Sequence, residues 1–154
     1  MNIRMIEKKE LRVLKADEYD WIPAKRCGRH VPLNSDEMYI NVRKAVNDGG
    51  KGRFDVTIYF GKDVADLMNL VGGSRVELFL DRKNPNVVKL KKTNEGGLAI
   101  SKNVGSDAYR TVFRSHNGMN LREVKTTSIR FDLFNDDSVV LNLSQFGKVG
   151  QADA

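Results

Sequence analysis

Lys89 and Lys91 stand at alternate positions of one apolar–polar run, and Arg110 and Arg114 do the same in another, so each pair projects cations from one side of an extended strand. Ammonium and guanidinium groups in such rows can engage phosphates without reading bases, and the attraction weakens as salt rises. Lys92 joins the first row, and Arg122 and Lys125 follow the second. Arg43, Lys44, Lys51 and Arg53 surround an earlier turn, and Lys62 opens a helical stretch. The alternation predicts that a folded sheet gathers Lys89, Lys91, Arg110 and Arg114 into one patch, with Arg122 and Lys125 nearby. Tyr59, Tyr109 and Phe113, if exposed, would add stacking on the bases of a single strand. A solvated outer face of an antiparallel sheet meets the same pattern, because such a face must be polar whatever the protein does.

Charge is unevenly spread along the 154 residues, which carry a net +6 overall. Residues 82–130 hold 11 Lys and Arg against 3 Asp and Glu, a local net of +8, while residues 54–81 and 131–154 are each at −3. Solubility alone does not call for such segregation, whereas binding a polyanion does. The apolar fraction of 40% beside 30% charged residues suits a globular chain. No run approaches the ~18 apolar residues of a membrane span. The first residues turn charged before an apolar stretch develops, which speaks against a signal peptide and for a cytoplasmic protein.

Other reactive types are sparse. Cys27-Gly28-Arg29-His30 sets a thiol near an imidazole, the beginning of a nucleophilic pair, with no third group to orient it. The chain's single cysteine excludes an internal disulfide and the ligand set of a zinc ribbon. His116 lies in the turn Ser115-His116-Asn117-Gly118, and Asp136-Asp137 in a hairpin turn, where acidic residues serve turn geometry. No phosphate-cradling glycine loop, Gly-x-Ser-x-Gly elbow or His-Glu-x-x-His helix is present. The sequence therefore points away from catalysis and calls for no metal or cofactor.

The elements that must position the cations are mostly strands. Phe54, Val56, Ile58 and Phe60 alternate on one face, as do Val76, Leu78 and Leu80, then Tyr109, Thr111 and Phe113. The period predicts strands over 54–60, 75–80, 87–91, 109–114, 129–134 and 139–143, with Leu98-Ala99-Ile100 as a short one. Met38, Ile40 and Val42 fit a strand, and Met38, Val42 and Val46 behind Ser35 fit a helix. The strand is preferred because Asn47-Asp48-Gly49-Gly50-Lys51-Gly52 is a turn leading straight into the next one. A helix is expected over Lys62–Leu70, with Val64, Leu67 and Met68 on one face and Gly72-Gly73 as its stop. The fold class is thus α+β, mostly antiparallel hairpins with one short helix. Residues 1–34 read as an irregular or strand segment, with hints at Ile3, Met5, Leu11 and Val13, a basic loop over 25–30, and Trp21 against the core. Residues 35–148 read as one β-rich domain, and 149–154 as a tail. Arg75–Leu80 with Val87–Leu90 parallels Ile129–Phe134 with Val139–Leu143, which leaves open a duplication of 35–92 and 98–146.

The stretch from Thr57 through Gly61-Lys62, Leu67–Leu70 and Gly73-Ser74 to Leu80 resembles the swapped-hairpin AbrB-like family of DNA-binding domains. Lys62 matches that family's basic step, Leu67–Leu70 its helix end and Gly73-Ser74 its Gly-Asp turn, over about forty residues of the chain. Gly61 stands where the family has proline, and Ser74 where it has aspartate. The resemblance implies a swapped-hairpin architecture, with a small β-barrel as the other outcome. It also implies an interleaved homodimer, which an internal pairing of the two hairpins could replace, and nucleic acid as partner, DNA ahead of RNA. The chain is also similar to small proteins of bacteriophages and prophages, which would place it in a host cytoplasm. The expected function is a DNA-binding regulator or single-strand binder. The alternative is a non-catalytic phage protein that is structural or docks on an acidic host protein through its strand edges.

Overall fold

A computed structural model describes residues 33–148, in which ten strands, one α-helix and one 3-10 turn follow in order. They are β1 (Met38–Lys44), β2 (Phe54–Phe60), α1 (Lys62–Leu67), β3 (Arg75–Leu80), β4 (Val87–Thr93), β5 (Leu98–Ala99), β6 (Ser101–Lys102), β7 (Tyr109–Arg114), β8 (Val124–Ile129), β9 (Phe131–Phe134), β10 (Ser138–Asn142) and the turn Ser144–Phe146. The expectations for Ile3, Met5, Leu11, Val13, Trp21, the basic loop and the Cys27–His30 pair lie outside the described residues, as does the tail. No helix among the described residues is long and apolar enough to cross a membrane.

Alternation along each strand builds the layers. Met38, Ile40 and Val42 of β1 pair with Phe60, Ile58 and Val56 of β2, which makes one side of the hairpin continuously apolar. β7 extends that side from β2 with Tyr109, Thr111 and Phe113, and β8 extends it from β1, giving the first sheet the order β6-β7-β2-β1-β8. The second sheet has the order β5-β3-β4-β10-β9 and presents Val76, Leu78, Leu80, Val88, Leu90, Val139 and Leu141 on its inner side. The two inner sides meet in one core, where burying a side chain such as Ile58 or Leu90 contributes about 1.5–3 kcal/mol. Among the described residues these are two separate five-stranded sheets, so the small closed barrel is not formed. β4 pairs with β10 on the edge opposite β3, so the chain's own second hairpin occupies the place where a hairpin of a copy could add.

The expected strand over 129–134 proves to be two. Ile129 ends β8 beside Met38 in the first sheet, and Phe131 opens β9 beside Leu141 in the second, with only Arg130 between them. Ile129, Phe131 and Leu133 all face the shared core, so the period survives the change of sheet and hides it. Buried Ile100 makes an equivalent one-residue crossing between β5 and β6 on the opposite flank. In the second sheet the hairpins β3–β4 and β9–β10 stand side by side, whereas in the first β1 and β2 pair with each other between β7 and β8.

The helix also ends earlier than its pattern predicts. Asn69 takes a left-handed conformation at φ 57° and donates to the Asp66 carbonyl, while the Leu70 N–H returns to the Ala65 carbonyl at 2.8 Å. This pair of bonds closes the helix before Gly72-Gly73 is reached. Val64, Ala65 and Met68 are buried, but Leu67 is 68% exposed, because on a helix this short its side chain falls outside the core-facing arc. At the other end the Ser35 carbonyl accepts from Asp63 N at 2.8 Å and also from Val64 N, so the Asn34–Glu37 turn satisfies the first helical donors.

Gly61 joins that turn to β2. Its N–H donates to the Glu37 carbonyl at 2.9 Å, and a Cβ here would lie 2.6 Å from the carbonyl oxygens of Asn34 and Glu37 and closer still to that of Ser35. A proline would lose the bond and meet the same three oxygens, which accounts for the departure from the swapped-hairpin pattern. Gly61→Ala is expected to lower unfolding free energy by about 1–3 kcal/mol, the cost of overpacking. Gly72→Ala, whose Cβ would meet nothing within 4 Å, should stay within about 0.5 kcal/mol of the parent. Urea denaturation of the two variants measures the difference.

Candidate nucleic-acid interface

Residues that alternate with the core positions of the first sheet face outward. Strand register sets Arg114, Asp55 and Arg43 in one row across β7, β2 and β1, and Arg110, Tyr59 and Tyr39 in another, of which Tyr39 is itself buried. Arg114 Nε donates to Asp55 Oδ1 at 3.1 Å, an ion pair about one-third exposed and worth no more than about 1 kcal/mol. Arg43 and Lys44 are exposed at the end of β1, where the Lys44 N–H donates to Glu123 Oε2 at 3.1 Å. The register between β1 and β8 shifts between Ile40 and Val42, which puts an extra residue in β8 at Lys125-Thr126. Thr126 is drawn to Asn41 Nδ2 at 3.2 Å, and Lys125 is left exposed at the bulge. Lys51 is exposed in the turn before β2, and Arg53 is half-buried at its base. The Asp48 carboxylate ties this turn together by accepting from Arg53 N at 2.9 Å and Gly50 N at 3.0 Å.

Arg43, Lys44, Lys51, Arg53, Arg110, Arg114 and Lys125 are therefore gathered on the outer side and one end of the first sheet, with Asp48, Asp55 and Glu123 as the acids identified among them. Lys89 and Lys91 are elsewhere. They face outward from the second sheet, with the core between them and Arg110, so the single patch expected from the sequence does not exist. β4 and β7 belong to different sheets, and alternation says which side of its own sheet a residue occupies without saying which sheet that is.

The second sheet's outer side is mixed in charge. Lys89 Nζ lies 5.4 Å from the centre of the Phe79 ring, and Lys91 pairs with Asp136 at 3.7 Å while facing Glu77 across the strands. The Ser138 hydroxyl donates to Asp136 and, with Lys91 and Lys89 adding attraction, holds its carboxyl below the ordinary range. Three further expected contacts already bond to other groups of the chain at its surface. Lys62 bonds Asp66 one helical turn on at 3.1 Å, which raises its ammonium above the usual value. Lys92 Nζ donates to the Asn69 carbonyl at 2.6 Å, and Arg122 Nη1 donates to the carbonyls of Gln145 and Gly147 at 3.1 and 2.8 Å.

The aromatic expectations change as well. Phe113 is buried and Tyr109 packs against the core, so neither offers a face to a base. Tyr59 faces outward, half-buried, between Arg110 and Tyr39. Phe79 and Phe134 are the exposed aromatics that sequence reasoning passed over, and for Phe79 the signal was its place among Arg75 and Glu77 in the polar half of β3. Asp136-Asp137 forms the β9–β10 turn, with Asp137 left-handed at φ 60° and its carbonyl accepting from Lys92 N.

Comparison with family models, curated proteins and solved structures finds no match for this chain. The geometry of the turn yields a direct test. The Arg53 and Gly50 N–H bonds hold the Asp48 carboxyl below its ordinary 3.8, with the Arg53 bond the larger cause. A carboxyl lowered in the folded state stabilises above the unfolded value and loses that contribution as pH falls through the folded one. The amide signals of Gly50 and Arg53 should therefore titrate together, with a midpoint below 3.8, when followed by NMR. In Asp48→Asn that shared transition should vanish.

Proposed function

We propose that the chain is a nucleic-acid-binding protein whose outer first-sheet face contacts phosphates, DNA ahead of RNA. The observation that carries this reading is the convergence of Arg43, Lys44, Arg110, Arg114 and Lys125 on the β1–β2–β7–β8 side, from segments distant in sequence. Cations on such a face release counterions from a polyanion on binding, so affinity falls as salt rises. Tyr59 lies among them and supplies a ring that one base could cover, worth roughly 1–3 kcal/mol on a single strand. The resemblance of β2, α1 and the β3–β4 hairpin to a DNA-binding unit adds support, and its basic step, Lys62, pairs with Asp66 on the surface.

The test compares two charge reversals in a binding assay run on single- and double-stranded DNA and RNA over a salt series. Replacing Arg43, Arg110 and Lys125 together by Glu leaves the Arg114–Asp55 pair in place and should abolish binding. Replacing them singly should flatten log affinity against log salt by about 0.9 for each duplex phosphate no longer neutralised. Replacing Lys89 and Lys91 by Glu should leave binding near the parent level. Tyr59→Ala should weaken single strands and spare duplexes. Equal binding by the triple first-sheet variant and the parent would make that face a solvated surface only.

A further inference from the structure

One flank of the paired sheets is closed only in part. β6 covers β7 at Tyr109 and Arg110, and β5 covers β3 at Arg75 and Val76, beyond which no further strand pairs with either edge among the described residues, the Ala99 carbonyl accepting from Thr111 Oγ1 at 3.0 Å. The Ser115 N–H donates to the Phe54 carbonyl at 2.7 Å, which fixes the phase of the β2–β7 ladder. By the alternation of antiparallel bonding, the N–H and C=O groups of Val112 and Arg114 then point away from β2. The bond from Asp81 N to the Val87 carbonyl at 2.9 Å sets the same phase in β3 and turns Leu78 and Leu80 to the open edge. Between these edges lies an open cleft of about 870 Å3. Its lining includes Arg53, Arg114 and His116 on one wall and Leu78, Glu77 and Glu95 on the other. Arg75 donates to the carbonyls of Gly96 and Gly97 and so holds the loop at the cleft's end.

Arg53 is the unexplained feature of this cleft. Its Nε is wholly buried and finds no hydrogen-bond partner among the described residues, a cost the fold already bears. The residue nevertheless lines the cleft, and a carboxylate is the acceptor that suits a guanidinium there. Val112, opposite Thr57 and farther along the same cleft, is 47% exposed.

We propose that this flank receives an extended segment of a partner protein, which adds to β7 as a further strand and carries a carboxylate to Arg53 and Arg114. Bonds to Val112 and Arg114 would supply the backbone attachment. A residue opposite Phe113 would turn into the cleft toward Leu78, where an apolar side chain fits, and its neighbours would turn outward beside Arg114, where an acidic one does. The segment is therefore of alternating apolar and acidic character. Glu77 and Glu95 on the far wall keep the carboxylate on the β7 side. A second copy of this chain suits the edge poorly, because pairing β7 with β7 brings like-charged arginines together.

The test pans a displayed library of random short peptides on the full chain. Enriched peptides should alternate apolar residues with Asp or Glu, and one of them, synthesised, should shift the NMR amide signals of Val112 and Arg114. Val112→Pro removes an outward N–H while leaving the β2 ladder intact, as an edge position allows, and should weaken that peptide at least about tenfold. Arg53→Gln should do the same and decides the matter if the proline variant does not fold. Replacing Arg43, Arg110 and Lys125 should leave the peptide's affinity unchanged, which separates this flank from the phosphate-binding face. Enriched peptides lacking acidic residues, no enrichment, or affinity indifferent to both substitutions would overturn the proposal.

Discussion

Both sheets must turn one side to a single apolar core, and that requirement decides where every other group can go. Met38, Ile40, Val56, Ile58 and Phe60 from one sheet and Val88, Leu90, Val139 and Leu141 from the other are essentially sealed from solvent. Each such burial is worth about 1.5–3 kcal/mol, against no more than about 1 for an exposed ion pair, so the core sets which side a strand shows and the charges follow. The consequence is two polar faces pointing in opposite directions. Basic residues from different strands can share a surface only if their strands share a sheet.

The chain passes between the sheets through α1 and through two one-residue crossings, Ile100 and Arg130. The crossings lie on opposite flanks and tie the layers together there, Ile100 with its N–H on the Ser74 carbonyl and its own carbonyl accepting from Gly73. A crossing of one residue holds the sheets only locally, since β5 and β6 are two residues each. Beyond them the outward edges of β7 and β3 have no strand partner among the described residues, and the cleft lined by Arg53 lies there. Free edges of this kind invite another strand, and a charged guanidinium beside one restricts which strand can come.

Local pattern made the strands legible. β2, β3 and β7 have the bounds that alternation predicts, and the turn Asn47–Gly52 rightly favoured a strand over a helix at Met38. What period 2 cannot carry is sheet membership, because a residue that faces a shared core looks the same from either layer. The break at Arg130 was invisible for that reason, and so was the separation of Lys89 from Arg110. The helix end was missed for a different reason. Asn69 adopts the left-handed conformation usually left to glycine, and the carbonyls it leaves are recovered by backbone bonds, which no spacing announces.

Charge along a sequence and charge on a surface are separate quantities, and residues 82–130 show why. Their excess of +8 is divided between two outer faces and surface contacts to backbone carbonyls that brace turns. Lys89 and Lys91 go to the second sheet among acids, Lys92 to the helix end, Arg122 to the final turn, and Arg110, Arg114 and Lys125 to the first sheet. The cations that join those last three, Arg43 and Lys44, come from a segment without a comparable excess. They arrive because β1 pairs with β2 and β8, and β2 with β7, pairings as distant in sequence as Met38 with Ile129. A basic face here is made by long-range pairing, so it could be found only after the sheet order was known, and the segment that looked most basic was the poorer guide to it.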